Sequence, residues 1–337
     1  MVILLIYTSQ VQVAHTITVN TPLLEVYSSL YEKYAETLSC PCTNIAIEQQ
    51  EFISLIPTFH QICDSDFVDP RWPMGIQNTM QLFDYIYNRD FRMRGYSLFQ
   101  ALVSICALAK VSIGNALIDF KSTTFISKNL LSEKTFAAQM NASIDLYTTS
   151  LAYTFSRSFG IIRDTTQGNG LVSGTLSSIT FRLTAINNTN TNQSIGTINP
   201  RYKTYDNDRC SCHDSATCKE QAYVYTPDNT KVRVYKVPGL VIGCYGFEAM
   251  LQSNLLCFYN QTCVDGLRVA INFSDIFTTS ALDPSKACVG LQNVRIRHYY
   301  WLITQTTQFN DALYSTNSIK HVSTWNRMSL PAHLNSQ

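Results

Sequence analysis

Charge is scarce in this chain. Asp, Glu, Lys and Arg make up 15% of its 337 residues, against about 25% in an ordinary soluble domain. The balance is also flat, with 25 basic and 24 acidic residues and a net charge of +1. No basic excess exists to neutralise a phosphate backbone, which excludes nucleic acid as a partner. Ser, Thr, Asn and Gln must cover the surface instead. Long apolar runs are missing too. A bilayer span takes about 20 apolar residues, and the opening "VILLIY" is far shorter. It has neither the basic flank nor the small-residue cleavage site of a signal peptide. Residues 1–19 therefore read either as part of a longer membrane anchor or as a buried strand. The most apolar interior stretch, residues 98–118, carries Gln100, Lys110 and Asn115 and reads as a core helix. Catalytic signatures are absent: there is no G-x-S-x-G, Walker loop or H-E-x-x-H. Gly168, Gly170 and Gly174 do not fit a dinucleotide loop, and no strand leads into them.

Cysteine is what the chain has in plenty. Ten of its 11 cysteines fall within residues 40–63 and 210–288, the clustering of a disulfide framework in an oxidising compartment. The disulfide candidates are Cys40, Cys42, Cys63, Cys210, Cys212, Cys218, Cys244, Cys257 and Cys263. Cys106, beside an apolar helical stripe, reads as a buried free thiol, and Cys288 as the other free thiol. Sequons at Asn141, Asn187, Asn192, Asn260 and Asn272 are candidate glycosylation sites. Cysteines and sequons together place the chain on the extracellular or lumenal side of the secretory pathway.

The periodicities divide the chain. Residues 20–76 form a cysteine-containing stalk or strand segment, with Pro70 and Pro73 expected to keep "CDSDFVDPRWP" a loop. Residues 77–165 are a helical layer. Its stripes are Met80, Phe83 and Tyr87; then Leu98 to Leu117; then Phe136 to Phe155, with Ser132 as the N-cap of the last helix. Residues 166–284 are a disulfide-rich α+β part. There "AYVYTPDNTKVRVYKV" signals a hairpin around Pro227, Asp228 and Asn229. Residues 285–337 form a divergent tail. The expected class is α+β, a helical layer packed with a disulfide-stapled, strand-rich C-terminal part.

Several motifs mimic active sites. Cys210, Cys212, His213 and Cys218 crowd four soft donors into nine residues; a structural zinc site spaces its ligands as two knuckles. Cys40-Pro41-Cys42 lacks the redox C-x-x-C spacing and reads as an anchor point for two different disulfides. His60 and Cys63 would form a thiol-protease pair only with a thiolate at Cys63. Asp64-Ser65-Asp66, with Asp69 near, is the candidate metal set, since hard cations take carboxylate oxygens. No βαβ rhythm surrounds it, as a nucleotide-sugar site would require. Neither cofactor nor resident metal is expected.

Five segments together resemble a known family: "LSCPCTNIAI", "PTFHQICDSDFV", "IIRDTTQGNGL", "CSCHDSATC" and "GCYGFEAMLQSNLLCFYNQTC". They are similar to a large uncharacterised family of bdelloid rotifer proteins, over residues 20–280. The resemblance implies type II topology: a single N-terminal membrane anchor, shortened here, and a cysteine-rich extracellular domain. It implies no activity. Beyond Pro284 the family's pattern of further paired cysteines is not followed. The expected function is that of a membrane-anchored, disulfide-rich glycoprotein ectodomain that binds an unknown extracellular ligand in adhesion or recognition. The alternative is a lumenal type II DxD glycosyltransferase.

Overall fold

A computed structural model describes residues 15–19, 23–42, 45–51, 53–55, 57, 59–169, 178–188, 193–273, 279–284 and 332–336. In chain order its elements begin with β1 (His15–Val19), α1 (Leu24–Tyr34), β2 (Leu38–Ser39) and β3 (Ala46–Glu48). Then come α2 (Arg71–Met80), α3 (Phe91–Ser122), β4 (Thr124–Ile126) and α4 (Glu133–Asn169). Four strands follow: β5 (Ile179–Asn188), β6 (Gln193–Tyr202), β7 (Thr204–Tyr205) and β8 (Cys210–Ser211). The remainder is β9 (Lys219–Tyr225), β10 (Arg233–Gly243), α5 (Gly246–Gln252), α6 (Gln261–Ile271) and β11 (Ala332–Ser336). The fold is α+β, with small antiparallel sheets and strands stapled by disulfides.

The chain divides into two compact units. One comprises Met1–Ile56, Ile113–Leu151 and Gln308–Gln337; the other comprises Pro57–Ser112 and Ala152–Thr307. In the first, β1, β11 and β2 form a three-stranded antiparallel sheet, in which Ile17 pairs with Leu334 and Leu334 with Leu38. β1 is thus a strand, but Ile17 stays 52% exposed rather than buried. The Cys-Pro-Cys triplet is extended backbone. Cys42 N donates to Lys128 O, Leu130 N donates to Cys40 O, and Pro41, which has no N–H to offer, bridges Asn129. Tyr27 closes a small core there with Cys40, Leu38 and Leu130, its hydroxyl donating to Leu130 O at 2.9 Å. Elsewhere in this unit β3 pairs with β4, and the Phe120 and Tyr147 rings meet at 4.7 Å. Ser132 Oγ accepts Thr135 N at 3.2 Å, the expected cap of α4.

The second unit holds the main core. α3 turns Leu98, Phe99, Leu102, Ile105 and Ala109 inward at helical spacing. Aromatic edges fill the middle: Phe67 meets Trp72 at 5.2 Å and Phe258 at 4.5 Å, while Phe99 meets Trp72 and Phe258 at 5.6 Å each. Val237, Leu240 and Ile242 of β10 and Val264, Leu267 and Ile271 of α6 close it. The hairpin β9–β10 forms as the sequence signals, its turn held by Asp228 Oδ1 accepting Thr230 N at 2.9 Å. The left-handed residue in that turn is Lys231 (φ 56°). Register slips between Lys236 and Val241. Gly239, at φ 81°, makes this bulge, and any Cβ there would strike Asn254. Gln221 satisfies the freed carbonyls, donating from Nε2 to Val237 O and Leu240 O.

Two local expectations are corrected. Residues 71–80 are helical despite Pro73, because Pro73 falls in the first turn of α2, where its missing N–H would find no acceptor. Phe83 and Tyr87 do not continue a helical stripe, since α2 ends at Met80. Their rings pack instead on Arg92 and Tyr225. α3 is the one described helix long and apolar enough to cross a membrane, yet its turns from Leu98 to Ala109 line the core of this unit.

Candidate functional site

Four disulfides staple the second unit: Cys63–Cys106, Cys210–Cys218, Cys212–Cys244 and Cys257–Cys263, with Cα separations of 5.3, 5.4, 5.6 and 5.3 Å. These lie inside the range a disulfide requires. The expected free thiol at Cys106 is corrected. Cys106 is buried as foreseen, but the turn Gln61–Asp64 packs on α3 and brings Cys63 to it. Neither Cys40 nor Cys42 belongs to a disulfide among the described residues, where the other eight cysteines are bonded to one another. Burial pushes both thiols above the usual range, so neither offers a ready thiolate. Cys288 lies outside the described residues.

The enzyme-like motifs come apart. Cys210, Cys212 and Cys218 are oxidised and hold no metal-ligating thiolate, and His213 is exposed beside the Tyr202 ring. No cluster of metal-ligating side chains occurs among the described residues. Asp64 pairs with Lys110 at 2.6 Å, Asp66 accepts Ser280 N, and Asp69 accepts two bonds from the Arg71 guanidinium. Those Arg71 bonds draw the Asp69 carboxyl down to about 2. The three carboxylates thus serve three separate contacts.

His60 is structural. Its Nδ1 accepts Ile62 N at 3.1 Å, so the ring proton sits on Nε2 and is donated to the Tyr259 hydroxyl at 2.9 Å. Cys63, the would-be nucleophile, is bonded to Cys106. Burial pushes the imidazole from 6.5 down to about 3. Between those values the unfolded chain takes up a proton that the folded chain refuses. The His60 contribution is complete above pH 6.5 and drains away as pH falls toward 3, by a few kcal/mol in total. Urea midpoints at pH 7 and pH 4.5 are expected to differ less in His60→Gln than in the wild type. Equal differences would show that another group governs the acid limb.

Of the sequons, Asn260 and Asn272 stand exposed at the two ends of α6. Asn260 Oδ1 caps the helix by accepting Cys263 N, and Asn272 sits in the left-handed region (φ 58°) just past its end. Asn272 also lines an open cleft of about 380 Å³ with Asp265, Arg268, Val269 and Phe273. Asn141 is half-buried within α4. Asn187 lies in β5 opposite Ser194, and Asn192 lies outside the described residues.

The most unusual electrostatics gather where β7 meets the start of α3. Arg89 donates to Glu220 Oε2 and to Thr204 O, both at 2.9 Å, and lies 5.8 Å over the Tyr205 ring. Arg94, only 5% exposed, donates from Nε to Asn88 O. Burial lowers its pKa and raises those of Glu220 and Tyr205. Lys203 is half-buried; desolvation first, then the charges of Arg94 and Arg89, push its ammonium down to about 8. Sequence reasoning missed this group. Arg89 and Glu220 are separated by 131 positions, and no local pattern ties them.

The chain matches no protein-family model, no curated protein and no solved structure.

Proposed function

We propose that this chain is the ectodomain of a membrane-anchored secretory-pathway glycoprotein that works by binding an extracellular ligand. The four disulfides carry the reading, because such bonds persist where thiols are kept oxidised. The exposed sequons at both ends of α6 support glycosylation, and the resemblance to type II rotifer proteins supports the anchor. The glycosyltransferase alternative loses its motive, since Asp64, Asp66 and Asp69 turn to separate internal partners.

Expression through a eukaryotic secretory pathway tests it. Non-reducing peptide mapping is expected to recover all four disulfides, and removal of N-glycans is expected to lower the apparent mass. Cysteines 63, 106, 210, 212, 218, 244, 257 and 263 open to alkylation in the native protein would overturn the reading. So would manganese-dependent nucleotide-sugar binding abolished by Asp64→Ala or Asp66→Ala.

A further inference from the structure

Residues 279–283 belong to no helix or strand, yet the second unit holds them closely. Thr279 is 3% exposed and Leu282 5%, and Leu282 joins the main core. The backbone N–H groups between and after them are taken up in succession. Ser280 N donates to Asp66 Oδ2 at 3.0 Å and Ala281 N to Gln261 Oε1 at 2.7 Å. Leu282 N donates to Phe258 O at 2.7 Å and Asp283 N to Gln61 Oε1 at 2.9 Å. Both carboxamides donate in return, Gln61 Nε2 to Asp283 O at 2.9 Å and Gln261 Nε2 to Thr279 O at 3.1 Å.

A segment that joins a sheet does so through a backbone ladder. This strap takes every one of these bonds except that of Leu282 N from side chains. Those side chains are fixed in advance: Gln61, Asp66 and Gln261 each open a helix or helical turn, and Gln261 Nε2 also donates to Asp265 Oδ1 at 2.9 Å. A carboxamide that bonds both an N–H and a C=O of a passing chain reads its backbone and not its sequence. Buried anchor side chains then supply the selection, which is the logic of peptide recognition. Thr279 and Leu282 are the anchors here. Among the described residues the buried Thr279 Oγ1 finds no hydrogen-bond partner. Valine, of the same shape, would leave no polar atom unsatisfied there. The strap is therefore a serviceable occupant of this place and not the best one.

We propose that the trough bounded by Gln61, Asp66, Phe258 and Gln261 is a peptide-binding groove, filled in cis by residues 279–284. Its partner is a short linear segment of another protein, with a small apolar residue at the Thr279 position and leucine three residues on. This rests on the binding-module reading above and names the class of its ligand. The strap acts as an internal competitor, since a segment on a short tether has an effective concentration of about a millimolar. A ligand with better anchors displaces it.

The test uses the full secreted chain and a fluorescent synthetic peptide that copies residues 279–284 with the Thr279→Val change. In the protein, Leu282→Asp is expected to expel the strap and raise peptide affinity at least about tenfold over wild type. Adding Gln61→Ala or Gln261→Ala is expected to remove most of that gain, and a peptide that also carries Leu282→Asp is expected not to bind. No gain in a folded Leu282→Asp protein would overturn the proposal, as would a gain indifferent to both glutamines. Should Leu282→Asp fail to fold, amide exchange in the wild type decides. Peptide well above the effective concentration of the strap is expected to speed exchange at Ser280, Ala281, Leu282 and Asp283, and unchanged exchange there would overturn the proposal. Disulfide mapping on the same material separates the two readings. Intact disulfides with no peptide response defeat only the groove, whereas alkylatable cysteines defeat the binding-module reading itself.

Discussion

Asp90→Ala is expected to destabilise the unit that contains it by about 3–5 kcal/mol, the cost of leaving a buried charge without its partner. Asp90 has no exposed side-chain surface and Arg92 has 2%. One carboxylate oxygen accepts Arg92 N at 2.7 Å and Arg92 Nε at 3.0 Å; the other accepts Arg92 Nη2 at 2.8 Å and Tyr225 N at 2.7 Å. Arg92 Nη2 donates again to Tyr225 O at 2.6 Å, and its guanidinium lies over the Phe83 ring. One carboxylate therefore caps the start of α3, ends the β9 strand and neutralises the buried Arg92 guanidinium. Alanine leaves two backbone N–H groups without an acceptor, and the guanidinium without its counter-charge and with only Tyr225 O to bond, in a place water does not reach. The double variant Asp90→Ala/Arg92→Met should be markedly less destabilised than the sum of its single changes, because the orphaned cation is gone. Urea denaturation of the four proteins measures this. A loss below about 1 kcal/mol in Asp90→Ala, or strict additivity, would show that the pair is not a closed ion pair.

The second large effect concerns Cys63–Cys106. These residues are 43 positions apart, and closing a loop of that length restricts the unfolded chain by about 4 kcal/mol. The Cys257–Cys263 loop spans only six positions, for which the same relation gives about 2 kcal/mol. The long loop encloses Phe67, Trp72, Ile76 and Phe99, so its bond also limits the ways in which the aromatic core can come apart. Cys63→Ala/Cys106→Ala is therefore expected to lower stability about twice as much as Cys257→Ala/Cys263→Ala, in equilibrium unfolding without reductant. The reverse order would mean that native packing around the short loop, rather than chain restriction, governs the stapling.

Several features needed no tertiary knowledge. The helical stripes of α3 and α4 and the cap at Ser132 follow from spacing that one helix enforces on itself. The β9–β10 hairpin follows from alternation on both sides of a turn. α6 was equally local, with Asn260 as its cap and Val264, Leu267 and Ile271 on one face, although its cysteines drew attention to disulfides instead. Pro73 misled because proline is judged by its place in a helix, and the place is known only once the helix start at Arg71 is known.

What the sequence by itself determined is the rhythm of the elements, the cysteine density that marks an oxidised chain, and the absence of charge for a polyanion. Each is a property of neighbours along the chain or of composition, and neither depends on where the chain returns. What only the tertiary structure decided is who meets whom. Cys106 changes from a buried thiol to half of a disulfide because Cys63 comes within 5.3 Å of it. Asp64, Asp66 and Asp69 cease to be a metal set because Lys110, Ser280 and Arg71 reach them first. Thr204, next to Lys203, meets Arg89 because β7 docks beside the residues just ahead of α3, more than a hundred positions away along the chain. Charges and thiols act over a few ångströms of space, and a sequence orders only the distance along the backbone.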